Sequence, residues 1–242
     1  MSKTPDVFAT GRSFNEDEVK GKTVVVIDVL RASSTIVTAL SNGARGVIAV
    51  EDMGDATRIA QNLDSSSYLL CGEQGGEKIE GFHLGNSPVE YAPEVVKGRT
   101  LIFNSTNGSP TLVRCSGAKE VIIGCFLNAG AVIDRLRETE REILIVCSGW
   151  KSRLSFEDML CAGYLLQQLI GPDLPDDAPD GAQLASALYK QYGKKLVKSV
   201  ERSNHGKRLA ALGYATDIPY CCTPDALSTV PVMQDGIFTA AR

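Results

Sequence analysis

Short uninterrupted runs of β-branched and aliphatic residues alternate along the chain with segments of helical character. Residues 23–28 (TVVVID), 46–51 (GVIAVE), 68–71, 100–104 (TLIFN), 121–125 (VIIGC) and 142–147 (EILIVC) read as strands. Between and after them, residues 34–42, 55–63, 128–139 and 157–170 read as helices, the first ended by Gly43. Apolar runs without polar alternation, separated by helices, predict strands that are mainly parallel and covered on both faces. The expected fold class is therefore α/β, a three-layer α/β/α sandwich around a mainly parallel or mixed sheet.

An internal similarity sharpens that picture. At an offset of 74, the stretch from Ile27 to Ile48 lines up with Leu101 to Ile122, and both run strand, Ser/Thr/Asn turn, helix, Gly-Ala-basic, strand. Two such βαβ units, about 22–98 and 99–170, would bring two loops to one strand-end edge, the usual ligand side of an open α/β sheet. Residues 171–181 (GPDLPDDAPDG) form a loop or linker. Beyond it, 182–192 and 194–212 read as helices, and Gln234-Asp235-Gly236 between apolar residues reads as a hairpin at 228–239. No shift of composition demands a second domain, so residues 1–242 are expected to form one, with a helical and hairpin part at 180–242.

Charge and cysteine content narrow the class. With 25 Lys and Arg against 29 Asp and Glu, the net charge is −4. No basic footprint for nucleic acid or an anionic membrane exists, so an anionic ligand would need a local site. The seven cysteines have no C-x-x-C pair, and with two histidines a zinc site is not expected. Several lie in apolar runs, which suits small buried side chains in a reducing compartment. The polar start, residues 1–21, lacks a hydrophobic leader, and no apolar run approaches the ~18 residues that span a bilayer. A cytoplasmic protein is expected; a symmetric homodimer is the commonest assembly for such chains.

Polar chemistry gathers at the ends of the expected strands. Asp28 closes an apolar strand, where an unpaired carboxylate is costly, and Arg31, Ser33 and Ser34 follow at a helix start able to cradle an oxyanion. A simple N-cap with an internal Asp28–Arg31 pair would read the same way. Glu73 directly follows the next apolar run and opens a Gly-dense loop. Ser105, Asn107 and their neighbours occupy the equivalent turn of the second βαβ unit. In the fourth segment, Lys151 and Arg153 precede Glu157 and Asp158, which either serve as acidic first-turn and capping-box residues or ligate a hard cation. Carboxylates from separate loops suit Mg²⁺, and Arg beside them suits a phosphorylated substrate.

Several alternatives are weaker. No G-x-x-x-x-G-K-[ST] or strand-linked G-x-G-x-x-G exists, against nucleotide hydrolysis and dinucleotide redox chemistry. Cys147 and Arg153 have the C-x5-R spacing of a cysteine-dependent phosphatase, but the supporting glycines and preceding His are missing. His83 has no metal-spaced partner and reads as structural. A non-catalytic anion-binding module would carry much of the same polar equipment.

The runs DVLRASS (28–34), Gly72-Glu73, GFHLGNSP (81–88), STNG (105–108) and SFEDMLCAG (155–163) resemble, in order and spacing, the 2-phosphosulfolactate phosphatase family. The resemblance covers roughly residues 24–163; the last third carries no matched motif, and His83 stands where many members carry Asp. It implies a three-layer α/β/α fold and a Mg²⁺-dependent acid phosphatase that hydrolyses 2-phospho-3-sulfolactate to 3-sulfolactate, a step towards coenzyme M. On that reading Asp28, Glu73, Glu157 and Asp158 are the metal candidates, and Asp28, Arg31 and Glu157 the catalytic ones. Arg31, Ser33, Ser34, Ser105, Asn107 and Arg153 would bind a small phosphorylated acid. Direct attack by water and an aspartyl-phosphate at Asp28 are both open.

Overall fold

The computed structural model describes residues 4–241. Its strands are β1 (Asp6–Phe8), β2 (Thr23–Ile27), β3 (Gly46–Val50), β4 (Tyr68–Gln74) and β5 (Glu77–Lys78). They continue as β6 (Thr100–Asn104), β7 (Glu120–Gly124), β8 (Ile143–Cys147), β9 (Pro231–Gln234) and β10 (Ile237–Ala240). The helices are α1 (Ala32–Ser41), α2 (Met53–Ala60), α3 (Pro93–Val96), α4 (Gly108–Arg114) and α5 (Ala129–Glu138). After them come α6 (Phe156–Leu169), α7 (Asp180–Tyr192), α8 (Leu196–Glu201), α9 (Asn204–Ala211) and α10 (Asp217–Cys221).

One mixed sheet runs in the order β1-β8-β2-β7-β9-β10-β3-β6-β4-β5. The four strands β1, β8, β2 and β7 are mutually parallel, as are β3, β6 and β4. The C-terminal hairpin β9–β10 joins the two groups with antiparallel pairings to β7 and β3. Its turn, Asp235-Gly236, has φ of 50° and 79°, the backbone that a two-residue hairpin needs.

Neighbouring residues of β2 enter different cores, as the period of two requires. Val25 and Ile27 pack with Val132, Leu165 and Ala185 of α5, α6 and α7. Val24 and Val26 pack with Ile36 and Val37 of α1 and with Leu101 and Phe103 of the other strand group. Helix α2 covers the reverse face of β3 and β6 through Ala56, Val50 and Ile102. With both faces covered, every residue of β2 and β8 is buried, which explains their unbroken apolar sequences. Each fully buried Val or Ile contributes about 1.5–3 kcal/mol.

The two βαβ segments interlock. β2 leads through α1 to β3, and β6 through α4 to β7, yet β2 pairs with β7 and β3 with β6. Each segment therefore crosses from one strand group to the other, and the loops that follow β2 and β6 meet. A Cβ on Gly108 would lie 2.6 Å from Ala32 Cβ and 2.7 Å from Asp28 Oδ2, so only Gly lets α4 start there. The other tight point is Gly72, paired with Asn104 at φ 143°; a Cβ there would run into the Asn104 carbonyl. That close approach aligns the end of β4, and with it Glu73.

One expected helix is broken. Residues 194–212 form α8 and α9, because Ser203 accepts a hydrogen bond from Gly206 N–H at 2.9 Å and caps a new helix. The break puts His205 on the first turn of α9.

Candidate active site

Asp28 leaves β2 as a buried carboxylate, 7% exposed. Ala32 N–H approaches its Oδ1 at 3.3 Å, while Oδ2 accepts no hydrogen bond among the described residues. Ser33 and Ser34 serve this loop rather than facing outward. Asp28 N–H donates to Ser33 Oγ at 2.9 Å, and Ser34 Oγ donates to the Val29 carbonyl at 2.8 Å. The substrate role read from the sequence for these two hydroxyls thus gives way, in this geometry, to holding the backbone around Asp28.

Asp158 starts α6 and reaches back to the same loop. Its Oδ1 accepts from Val29 N–H at 2.9 Å and its Oδ2 from Gly149 N–H at 3.1 Å. Glu73 is fixed by Gly76 N–H at 2.6 Å, Thr106 N–H at 2.7 Å and Thr106 Oγ1 at 3.1 Å, so the β4 and β6 loops are joined through it. Glu157, 1% exposed, pairs with His205 Nδ1 at 2.7 Å, and the ring of His205 stacks on Trp150 with centroids 5.1 Å apart.

The carboxylates act on one another. Burial pushes Asp28 up to about 7, opposed by the positive charge of His205 and reinforced by the negative charges of Glu73 and Glu157. Burial also raises Asp158 well above the ordinary carboxylate range, with Asp28 and Glu157 adding to it. Burial would raise Glu157 too, but the hydrogen bond and charge of His205 outweigh it and the group lies below its usual value. Side chains more than a hundred residues apart in sequence thus share one field. Closely packed like charges of this kind mark functional sites.

Arg31 follows Asp28 by three residues and is 2% exposed. Its Nη1 bonds Asp217 Oδ2 at 2.8 Å, Nη2 donates to the Gly76 carbonyl at 2.7 Å, and the guanidinium lies 4.1 Å from the Tyr214 ring centroid. Ser87 Oγ donates to the other Asp217 oxygen at 2.7 Å. Where the sequence aims Arg31 at a ligand, the structure holds it in a buried ion pair that ties the Asp28 and Glu73 loops to α10. Ser105 and Ser109 cap each other across the start of α4, through Ser109 N–H to Ser105 Oγ at 2.9 Å and Ser105 N–H to Ser109 Oγ at 3.0 Å. Asn107 is half-buried, and its side-chain amide makes no hydrogen bond among the described residues.

Beside Glu157 and His205 opens a cleft of roughly 1120 Å³ lined also by Trp150, Lys151, Arg153 and Ser203. Arg153 is exposed there and free of protein carboxylates among the described residues. Cys147, by contrast, is fully buried, and its Sγ lies 3.8 Å from Met159 Sδ. Burial and the charges of Asp158 and Glu157 push its thiol well above the usual range. Burial of this kind opposes a thiolate nucleophile and speaks against the cysteine-dependent reading of the C-x5-R spacing. His83 is exposed and accepts from Leu70 N–H through Nδ1 at 2.9 Å, a local structural role.

A family model described as 2-phosphosulpholactate phosphatase matches residues 8–236. The chain belongs to the 2-phosphosulfolactate phosphatase family. A relative from Caldanaerobacter subterraneus, named "probable 2-phosphosulfolactate phosphatase", is 43% identical over 97% of this chain and 97% of its own length. Relatives with the same name from Thermotoga maritima and Clostridium tetani are 41% identical over 91% of this chain and 34% identical over 96%. They are covered over 92% and 98% of their own lengths. The 2-phosphosulfolactate phosphatases are phosphoric monoester hydrolases, and this chain is one of them by family. The match extends past the last sequence motif, at residue 163, into the segment that supplies His205, Tyr214 and Asp217. No motif announces those three. The only hint is that His205, one of two histidines in the chain, follows a Ser suited to capping a helix. No helix among the described residues is long and apolar enough to cross a membrane.

Proposed function

We propose that the protein hydrolyses 2-phospho-3-sulfolactate to 3-sulfolactate and inorganic phosphate, with Mg²⁺ as its cofactor. The observation that carries this reading is the cluster of buried carboxylates, where burial first and then repulsion from neighbouring negative charges raise Asp28 and Asp158. A cation relieves that repulsion, and carboxylate oxygens are the ligands Mg²⁺ prefers. Among the described residues no group of three or more His, Cys, Asp or Glu could hold an ion unaided. Mg²⁺ takes one or two carboxylates and fills its shell with waters and phosphate oxygens. Asp28, with Oδ2 open, would be the direct ligand, and Asp158, Glu73 and Glu157 would act through water. The nearby Ser148 hydroxyl, buried without a partner among the described residues, is a further group that a water shell would satisfy.

When bound, the ion would withdraw charge from the phosphoryl oxygens and so favour displacement at phosphorus. The protein's own part is orientation and proton handling. The N-terminus of α1, beside Asp28, favours the negative phosphoryl group through its dipole. Asn107 and Arg153 are open to ligand oxygens. Glu157 fixes His205 through Nδ1, which leaves Nε2 as the nitrogen able to give a proton to the departing ester oxygen. Glu157 then acts through His205, as a positioning group.

The test is release of inorganic phosphate from 2-phospho-3-sulfolactate, phospholactate and a neutral alkyl phosphate, before and after EDTA. Turnover is expected to vanish with EDTA and to return with Mg²⁺. Release that survives EDTA would overturn the metal assignment. Tight binding of the acids without any release would make the protein an anion-binding module instead.

A further inference from the structure

The cleft next to His205 carries far more positive charge than a phosphoryl group needs. Its lining includes Lys151 and Arg153 from the turn after β8 and Lys195, Lys198 and Arg202 from the α8 segment. The only carboxylate in that lining is Glu157, already paired with His205. This occurs in a chain whose net charge is −4. None of the five cations forms an ion pair among the described residues, whereas Lys20, Arg58, Arg135 and Lys190 all do. Unpaired like charges crowded into a concave site repel one another and raise the local concentration of anions.

The turn that presents two of them is itself unusual. Trp150 N–H donates to the Arg153 carbonyl at 2.8 Å and Arg153 N–H to the Trp150 carbonyl at 3.0 Å, closing a two-residue turn. Its central residues, Lys151 and Ser152, have φ of 52° and 59°, a region that favours Gly or Asn. Strain of this kind clusters at ligand sites. The Lys151 ammonium also lies 4.7 Å from the Trp150 ring centroid, and that ring stacks on His205. The basic wall is thus continuous with the His205–Glu157 pair.

We infer that this wall is a separate subsite for the non-reacting acid groups of the substrate, so that the enzyme selects phosphate esters bearing a sulfonate or carboxylate. The inference rests on the phosphatase reading and deepens it. Segment 195–202, outside every recognised motif, becomes the specificity element. All three of its cations are exposed, so their removal leaves the core untouched.

The experiment compares the triple variant Lys195→Gln/Lys198→Gln/Arg202→Gln with the wild type. The readout is kcat/KM for phospholactate divided by kcat/KM for ethyl phosphate, with Mg²⁺ present and a thermal melt to confirm folding. That ratio is expected to fall roughly tenfold, the product of a two- to threefold loss per exposed cation. The fall should reside in KM and shrink at high salt. Lys119→Gln, an exposed cation outside the cleft, should leave the ratio unchanged. An unchanged ratio in the triple variant, or an equal loss for both esters, would overturn the subsite. Failure of the wild type to release phosphate from either ester would instead overturn the phosphatase reading.

Discussion

Asp28→Asn is expected to lower phosphate release at least a thousandfold and, at the same time, to stabilise the metal-free protein at alkaline pH. Both effects come from one buried carboxylate. Its acid form is favoured in the folded chain, where burial pushes it to about 7 from an ordinary 3.8. A raised carboxyl contributes stability that is complete below the unfolded value and is lost as pH rises through the folded one. Between about pH 4 and pH 7 the folded chain binds more protons than the unfolded chain, so stability falls with pH by at most about 1.4 kcal/mol per unit for this group. Asn carries no charge to bury. The variant should therefore unfold on the order of 2 kcal/mol less readily than the wild type at pH 8 in EDTA, with no advantage at pH 4. Urea unfolding at the two pH values measures it. A variant that is less stable at pH 8 would show that Asp28 is not held under electrostatic strain.

The second large effect concerns Arg31 and Asp217. Both ends of the pair are almost fully buried, at 2% and 1% exposure, and they meet at 2.8 Å. Arg31→Leu strands the Asp217 carboxylate with Ser87 as its remaining donor, and Asp217→Leu strands a guanidinium over the Tyr214 ring. Each change is expected to cost about 3–5 kcal/mol, since a buried charge loses its partner. The double variant removes both charges and should recover most of that loss, giving a coupling free energy of about 2 kcal/mol or more in a double-mutant cycle. Turnover should not return with stability. Arg31 also holds the Gly76 carbonyl, and Gly76 N–H holds Glu73, so the loop that carries this carboxylate is released in the double variant as well. Additive losses would argue that the two side chains act independently.

The sequence made β2, β6, β7 and β8 legible because strands covered on both faces must be apolar throughout. The terminal hairpin was equally plain, since Asp235-Gly236 meets the backbone demand of its turn. Strand neighbours were not legible. Periodicity reports burial, not pairing, so the exchange in which β2 joins β7 and β3 joins β6 left no trace in the pattern. Asp28, Glu73, Glu157 and Asp158 stood out because carboxylates at the ends of apolar runs need a reason to be there. Arg31 was visible as a residue, but its partner Asp217, 186 positions away, was not. The same holds for His205: a lone His on an amphipathic helix has no local signature, and only the break at Ser203 turns it toward Glu157. Short β1, with three residues, offers too little pattern to be read at all.

Proton release on Mg²⁺ binding probes the shared ion most directly. Calorimetric titration of the EDTA-treated protein with Mg²⁺ at pH 7, in buffers of different ionisation enthalpy, counts the protons displaced. Burial, reinforced by the charges of Glu73 and Glu157, pushes Asp28 up to about 7, and an ion ligated there must expel part of its proton population. The wild type should bind one ion with a fraction of a proton released, and Asp28→Asn should bind far more weakly. Equal Mg²⁺ affinity in the two proteins, or binding with no proton released, would contradict the assignment of these carboxylates to a metal-dependent phosphatase centre.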